Sequence, residues 1–222
     1  NGELLANLGS KNGYVRQRSR RILTERGAEK IKSDLESWTQ KQTSEQGALE
    51  ALWMYQAIDL VNVDLLKKNL AAKDGRVRAA ATRVLSFWQN RIPDALELIA
   101  PRIGDENGRV RVEAVRAAAK IPSARSAELV LGALDKPMDR FTDYAIWLSI
   151  NDVAEPWVKA VQAGEWKSDG REKQLEFALR AVEPQYAAVV LTEVLEDHPI
   201  PADGSGPWID LFAKAGSREH LV

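Results

Sequence analysis

One short pattern occurs three times in the sequence and limits what the chain can fold into. Each copy has Asn or Asp, then Gly, one variable residue and Val-Arg, followed by apolar residues three or four positions apart. That spacing places the apolar side chains on one face of a helix. The copies are Asn12–Leu23, Asp74–Phe87 and Asn107–Ile121. Recurrence at a period near 30 residues predicts a stack of helix pairs, each leaning on its neighbours.

Apolar faces between and beyond these copies extend the prediction to the whole chain. Each unit would contact only its neighbours, so a stack counts as one elongated domain, here predicted over residues 1–222. Gly27 is expected to end a helix, Asp139 to cap one, and Pro93 to lie in a first helical turn. The predicted pairs are 4–8 with 14–26, 28–40 with 45–60, 63–72 with 75–89, 93–103 with 109–121, 126–134 with 139–150, 155–163 with 172–182, and 183–196 with 208–214.

Composition excludes several classes of protein. The net charge of -1 disfavours a general polyanion binder. The charged side chains of residues 1–27 are nevertheless mostly basic, and those of residues 183–222 are mostly acidic. The absence of cysteine excludes disulfides, cysteine-ligated metals and thiol nucleophiles in this chain. No apolar run has the length of a membrane span, and the first residues lack a signal-peptide pattern. Because the chain has no initiator Met, we expect it to be a piece of a longer polypeptide.

The repeated turn before Val-Arg resembles that of the HEAT-repeat (armadillo-like) family, most closely at residues 4–27, 65–88 and 98–121. The resemblance implies an all-α fold, a right-handed α-solenoid of about seven HEAT-like antiparallel helix pairs. It also implies that the Arg of Val-Arg packs near turn carboxylates of neighbouring units. Here that Arg is Arg16, Arg78 or Arg111, and the fifth unit has Thr142 in its place. The residue before it, which we call the anchor of each unit, is Val15, Ala48, Val77, Val110 or Phe141.

A narrower resemblance begins at residue 134. Residues 134–166, LDKPMDRFTDYAIWLSINDVAEPWVKAVQAGEW, and then 174–182 are similar to the HEAT segment of large exported bacterial proteins of the membrane-bound dehydrogenase type. Such proteins join a sugar-dehydrogenase-like propeller, a HEAT segment and a c-type haem domain. The resemblance implies a spacer or docking module in an exported, periplasmic redox protein. Since the haem motif Cys-x-x-Cys-His is absent, no haem residue is transferred and no cofactor is expected.

The best candidate site is a stripe along the second helix of each pair. The residue before each anchor and the residue six positions after it are seven residues apart, so they share one side of the helix, and most of them are basic or aromatic. On an inner surface they would form a basic band suited to an acidic peptide or acidic protein surface. The alternative is a solvated face paired with Asp94, Glu97, Asp105 and Glu106. The candidate residues are Tyr14, Arg21, Arg76, Arg83, Arg109, Arg116, Arg140 and Trp147, with Gly47 and Met54 breaking the series.

Signs of an enzyme are weak in this sequence. His198 and His220 have no carboxylate or second histidine one helical turn away, so no metal site is predicted. Asp139 and Asp143 share a face at a helix start, where capping explains them better than catalysis. No phosphate-binding loop or nucleophile motif is present.

Tryptophans divide into two predicted groups. Trp38, Trp53 and Trp88 fall on helical faces and are expected in the core. Three more lie near turns or helix starts, where partial exposure would offer a contact surface to an adjoining domain. They are Trp157, Trp166 and Trp208.

These patterns favour a non-enzymatic, monomeric scaffold or protein-interaction module. Its partners would be flanking domains of the parent chain or an acidic protein. The alternative is a nucleic-acid-binding HEAT-like protein of the DNA glycosylase type, which cradles duplex in a basic groove. The balanced charge and the acidic C-terminal end weigh against that alternative.

Overall fold

The computed structural model describes residues 1–197, and the regular elements in that range are all helices. Two short 3-10 helices, Gln89–Arg91 and Ala133–Asp135, follow two of the α-helices. The α-helices are α1 (Gly2–Asn7), α2 (Gly13–Arg26), α3 (Ala28–Gln40), α4 (Glu45–Ala57), α5 (Val63–Leu70), α6 (Gly75–Trp88), α7 (Ala95–Ile103), α8 (Gly108–Ala118), α9 (Ala124–Gly132), α10 (Arg140–Asp152), α11 (Ala154–Gln162), α12 (Glu172–Ala181) and α13 (Pro184–Asp197).

The chain divides into two compact units. Unit 1 is Asn1–Leu98 and unit 2 begins at Ile99. In unit 1, α1 packs on α3, while α2, α4 and α6 pack in a row beside them. In unit 2, α9, α11 and α13 form one row and α8, α10 and α12 form the other. Each unit is therefore a two-layer stack of helix pairs, and the predicted all-α solenoid class is confirmed.

The helices that follow the repeated turn begin as the sequence predicts. Asn12 Oδ1 accepts a hydrogen bond from the Tyr14 N–H at 3.0 Å, Asp74 Oδ1 from Arg76 at 2.8 Å and Asn107 Oδ1 from Arg109 at 3.0 Å. These side chains satisfy backbone donors that have no partner in the first turn. Because the cap fixes where the helix starts, it also fixes which residues face inward.

The Arg of Val-Arg holds the preceding turn by its main chain. The Arg78 guanidinium donates to the Ala72 carbonyl at 3.0 Å and the Lys73 carbonyl at 2.8 Å. Arg16 and Arg111 bind the carbonyls five and six residues before them in the same way. The guanidinium groups thus donate hydrogen bonds to backbone carbonyls, and Arg111 in addition lies near Asp139, the turn carboxylate of the next helix pair, as the resemblance implied.

Arg111 also links neighbouring helix pairs. Its Nη2 donates to the Pro137 carbonyl at 2.7 Å, just before α10. At the other end of the same helices, Arg116 Nη1 donates to Ser149 Oγ at 2.9 Å and to Asp152 at 2.8 Å. These bonds hold α8 and α10 side by side with their starts at the same end.

Several predicted helix bounds are wrong by a few residues. The helix predicted to reach Leu60 ends at Ala57, since Asp59 has a positive φ of 58° that an α-helix does not allow. Pro93 lies in the turn before α7 and outside its first turn. Gly27 does end α2, with a φ of 82° that suits glycine.

The predicted register of α10 is wrong by one residue. Asp139 caps this helix, as predicted, by accepting from the N–H groups of Phe141 at 3.0 Å and Thr142 at 2.7 Å. Counted from the cap, Thr142 stands where Val77 and Val110 stand in their helices, and it is fully buried. Phe141, the predicted anchor, is instead 61% exposed. Thr142 therefore replaces the Val of the repeated pattern and not its Arg.

Burial of the tryptophans follows the helix faces and not the nearness of turns. Trp88 is buried as predicted, and Trp38 and Trp53 are half-buried. Trp157 and Trp166, predicted to be partly exposed, are buried and meet edge to face with ring centroids 5.7 Å apart. Trp166 lies in the turn after α11, where it covers the indole of Trp157.

Some predictions fall beyond the part of the chain that the structure describes. They concern the last helix, 208–214, together with Trp208, His198 and His220. They stay predictions.

Candidate functional site

In unit 1, the first two candidate residues lie along one face of α2. Tyr14 is exposed at the helix start, and its hydroxyl accepts a hydrogen bond from Arg18 at 3.2 Å. Arg21, two turns further on, is exposed and pairs with Glu25 at 2.7 Å. The Glu25 carboxylate raises the pKa of the Arg21 guanidinium. A surface depression of about 460 Å³ runs along this face and is lined by Tyr14, Gln17, Arg18, Arg21, Ile22 and Glu25.

Arg76 and Arg83 lie on the exposed face of α6. Arg76 grips Asp74, with Arg76 Nη2 at 2.7 Å and Nε at 3.1 Å from the carboxylate, and lowers the pKa of that carboxyl. Asp74 at the same time caps α6, so the pair belongs to the helix start. Arg83 is exposed two turns further along and has an interaction within the protein.

In unit 2, the two candidates on α8 differ from each other. Arg116 is half-buried and held by Ser149 and Asp152 of α10, as described above. Arg109 is exposed at the start of α8, and its guanidinium forms no ion pair with any described residue. Although they are seven residues apart on one helix, Arg116 therefore connects α8 to α10, whereas Arg109 faces solvent.

Helix α10 carries more exposed aromatic surface than the sequence predicts. Trp147 is 44% exposed, and Tyr144 stacks against it with ring centroids 5.8 Å apart and planes inclined by 19°. The Arg140 guanidinium lies 4.7 Å from the centroid of the Phe141 ring. Sequence reasoning missed Phe141 and Tyr144 because it placed Phe141 in the core. Counting from the Asp139 cap would have found both.

Three of the candidate arginines pair with carboxylates other than those predicted. Arg21, Arg76 and Arg116 pair with Glu25, Asp74 and Asp152. Of the predicted partners, Asp94 pairs with Lys67, and Asp105 with Arg102 and the Asn107 N–H. The four-residue spacing of Arg21 and Glu25 along α2 could have shown the first of these pairs.

In each unit, the exposed faces of the second helices offer groups for recognition. Within residues 1–197, no cluster of three or more His, Cys, Asp and Glu side chains could hold a metal ion. No helix in that range is long and apolar enough to cross a membrane. What the second helices present is guanidinium groups for carboxylates and aromatic rings for apolar side chains.

The fold and this face define a class of helical-repeat protein whose units are antiparallel pairs. The particular match is to HEAT repeats, whose family model covers residues 62–149. That range runs from the cap of α5 into α10 and contains three helix pairs. The predicted HEAT resemblance is confirmed for this part of the chain, whereas the narrower resemblance at residues 134–166 stays a prediction.

The chain is similar to the crystal structure of an engineered protein from a structural genomics consortium, with a TM-score of 0.49 and 19% sequence identity over 88% of this chain and 96% of the other. No curated protein matches the sequence.

Proposed function

We propose that this chain is a non-catalytic scaffold that holds other protein parts in register through the exposed face of its second helices. The observation that carries the proposal is the match of residues 62–149 to HEAT repeats, a fold that commonly mediates protein interactions. The internal contacts are local and close each unit by helix packing alone. Such a stack gives a partner a fixed array of side chains, which reduces the ordering cost of binding.

The finer part of the proposal concerns the parent protein. We place the chain as one domain, a HEAT segment between the propeller-like and haem domains of an exported redox protein. Support comes from the resemblance of residues 134–166, a range that includes the aromatic face of α10. In that setting the exposed aromatic residues would contact a flanking domain or an acidic partner.

Two measurements test this function. The isolated chain, purified with and without chelator, should show the same helical circular dichroism and no visible absorption band. The intact parent chain should show a haem spectrum and a mass that accounts for the flanking domains. A cofactor band or turnover in the isolated chain would overturn the non-catalytic scaffold. A parent chain without haem would overturn only the redox setting.

Nucleic-acid binding is the competing function, and the arrangement of charges disfavours it. Arg21, Arg76 and Arg116 are held by carboxylates of the fold, so they are poorly placed to replace phosphate counterions. Affinity for duplex DNA that falls steeply with salt and is abolished by replacing Arg76, Arg83, Arg109 and Arg116 with Ala would establish it instead.

A further inference from the structure

The largest exposed aromatic cluster of the described residues lies at the start of α10. Phe141, Tyr144 and Trp147 are spaced three residues apart, and these residues are 61%, 61% and 44% exposed. Soluble proteins rarely leave several large apolar side chains together in water unless something binds them. Aromatic and arginine side chains are also the ones that carry most binding energy at protein interfaces. We name Arg109, Arg140 and these three aromatic residues the α10 face.

The fold holds this cluster rigidly. Asp139 caps the helix that carries the cluster, and Arg111 of α8 donates a hydrogen bond to the carbonyl of Pro137, just before α10. Tyr144 and Trp147 already stack on each other, so their rings lose little freedom when a ligand arrives. A prepared apolar platform of this kind suits an aromatic or branched aliphatic side chain of a partner.

Charge at the α10 face selects the partner further. Arg109 and Arg140 stand at the starts of adjacent helices and form no ion pair within residues 1–197. The nearby carboxylates of Asp139 and Asp152 are already engaged, by the first-turn N–H groups of α10 and by Arg116. Asp143 is the acidic group on this part of α10 that no guanidinium or ammonium of the described residues pairs with. The cations available to a ligand therefore outnumber the available carboxylates.

We propose that the α10 face binds a peptide segment in which acidic residues flank an aromatic or large aliphatic side chain. The apolar side chain would pack on Tyr144 and Trp147, and the carboxylates would pair with Arg109 and Arg140. This deepens the proposed function, on which it rests, by naming the chemistry of the partner and restricting the contact to α8 and α10. Arg21, Arg76 and Arg116 of the predicted stripe are left out, because the fold already pairs them.

Two other occupants fit the α10 face less well. In a symmetric dimer the α10 face would pack on its own copy, and two surfaces that each carry an excess of positive charge would meet. A single-stranded nucleic acid could stack its bases on the rings, but it carries a phosphate at every nucleotide, and the α10 face offers only Arg109 and Arg140 to neutralise them. Both occupants are outcomes of the test below.

The test uses the full chain and a random peptide library displayed on phage. We expect selected peptides to share Asp or Glu beside Trp, Phe, Leu or Ile. A synthetic peptide of the most enriched sequence, labelled for fluorescence anisotropy, should then bind about tenfold more weakly to Trp147→Ala and to the double variant Arg109→Ala/Arg140→Ala. Asp143→Asn should bind it more tightly, because a repulsive carboxylate is gone, and Trp147→Phe should restore part of the affinity. Arg180→Ala, an exposed arginine of α12 paired with Glu176, serves as the matched control and should bind as the parent does.

Each alternative result is decisive. Basic or uncharged consensus peptides, tighter binding of an oligothymidylate than of the acidic peptide, or equal loss with Arg180→Ala would overturn the proposal. So would concentration-dependent dimerisation that Trp147→Ala removes, or a library that yields no enriched sequence. All of these leave the scaffold proposal standing, because that proposal fails only on the spectrum or turnover of the isolated chain. Circular dichroism of each variant separates lost binding from lost folding.

Discussion

At the scale of single residues, the arginine of the repeated turn acts through the main chain. Arg78 is only 8% exposed, and one guanidinium nitrogen bridges two carbonyls at the end of the preceding turn. A carbonyl at a turn that water cannot reach needs such a donor. The arginine therefore fastens one helix to the turn that precedes it, and Arg16 and Arg111 repeat the arrangement.

We expect Arg78→Ala to lower the free energy of unfolding by about 1.5–3 kcal/mol, the range for hydrogen bonds to a charged group. Arg78→Lys should recover only part of this, because an ammonium is more strongly hydrated than a guanidinium and costs more to bury. Urea unfolding should show a lower midpoint at unchanged slope. Arg76→Ala is the control, because Arg76 is fully exposed and should change the midpoint little. Equal effects of the two alanine variants would contradict this role for Arg78.

Acid should weaken the helix starts through carboxylates whose pKa the fold lowers. The N–H group of Thr142 lowers the pKa of Asp139, and the N–H groups of Asp74 and Lys73 lower that of Glu45. A folded pKa below the unfolded one gives stability that is present above the unfolded pKa and is lost as pH falls through the folded one. The loss should therefore set in below about pH 4.

Asp139→Asn isolates this effect at one helix. Asn12 and Asn107 already cap helices in this chain, so the amide should keep the hydrogen bonds of the cap while losing the titration. Thermal unfolding between neutral pH and about pH 3 should show a smaller loss of stability for Asp139→Asn than for the parent. A variant as acid-sensitive as the parent would show that Asp139 does not contribute to the acid sensitivity.

Sequence reasoning found the residue types at these turns but not their partners. The motif marks where Arg78 stands, yet a guanidinium has several donors, and nothing in the motif distinguishes a carboxylate from a carbonyl as the acceptor. Only the fold of the turn brings the carbonyls of Ala72 and Lys73 within 3.0 Å of Arg78 Nη1.

At the scale of helices, the stack is joined by polar pairs as well as by apolar packing. Glu50 of α4 is 3% exposed and accepts from Arg20 of α2 and from Gln46 at 3.2 Å. Arg20 also lies over the ring of Trp53, 5.5 Å from its centroid. The pair therefore sets the register between neighbouring second helices in unit 1.

Removing Arg20 should be more harmful than neutralising Glu50. Arg20→Ala leaves a buried carboxylate without its cation, and we expect a loss of about 2–3 kcal/mol, less than for a fully buried pair because Arg20 is partly exposed. Adding Glu50→Gln should restore part of this stability, since an amide costs less to bury than a charge. A double-mutant cycle by urea unfolding measures the coupling. Additive losses would mean that the pair contributes nothing as a unit.

The sequence predicted that these helices exist, but it did not always predict which of their residues face the core. Where Gly and Val-Arg follow the cap, as in α6 and α8, the inward residues Val77 and Val110 are those predicted. At α10 the turn has Asp139 without that motif, and an aromatic residue next to the cap looked like a core residue. A shift of one residue turns a helix by about 100°, which is enough to move Phe141 from the core to the surface. Phe141 and Tyr144 of the α10 face were therefore beyond the sequence pattern, while Trp147, Arg109 and Arg140 were within it.

At the scale of the whole molecule, the contacts within each unit join helices that are near neighbours in the chain. Unit 1 closes through α1 to α6 and unit 2 through α8 to α13. In such an architecture stability is close to a sum of local terms, and a local defect should stay local. Unfolding of this protein need not follow a single cooperative transition.

Hydrogen exchange measured by mass spectrometry can check this for a defect placed in unit 2. Trp157 is fully buried in α11 against Trp166, and replacing a buried tryptophan by alanine typically costs about 3–5 kcal/mol. Trp157→Ala should speed exchange in α9, α11 and α13, which pack in one row, while α2 and α4 keep the rates of the parent. Acceleration of similar size throughout both units would contradict local stability, because it would mean that the whole chain opens as one body.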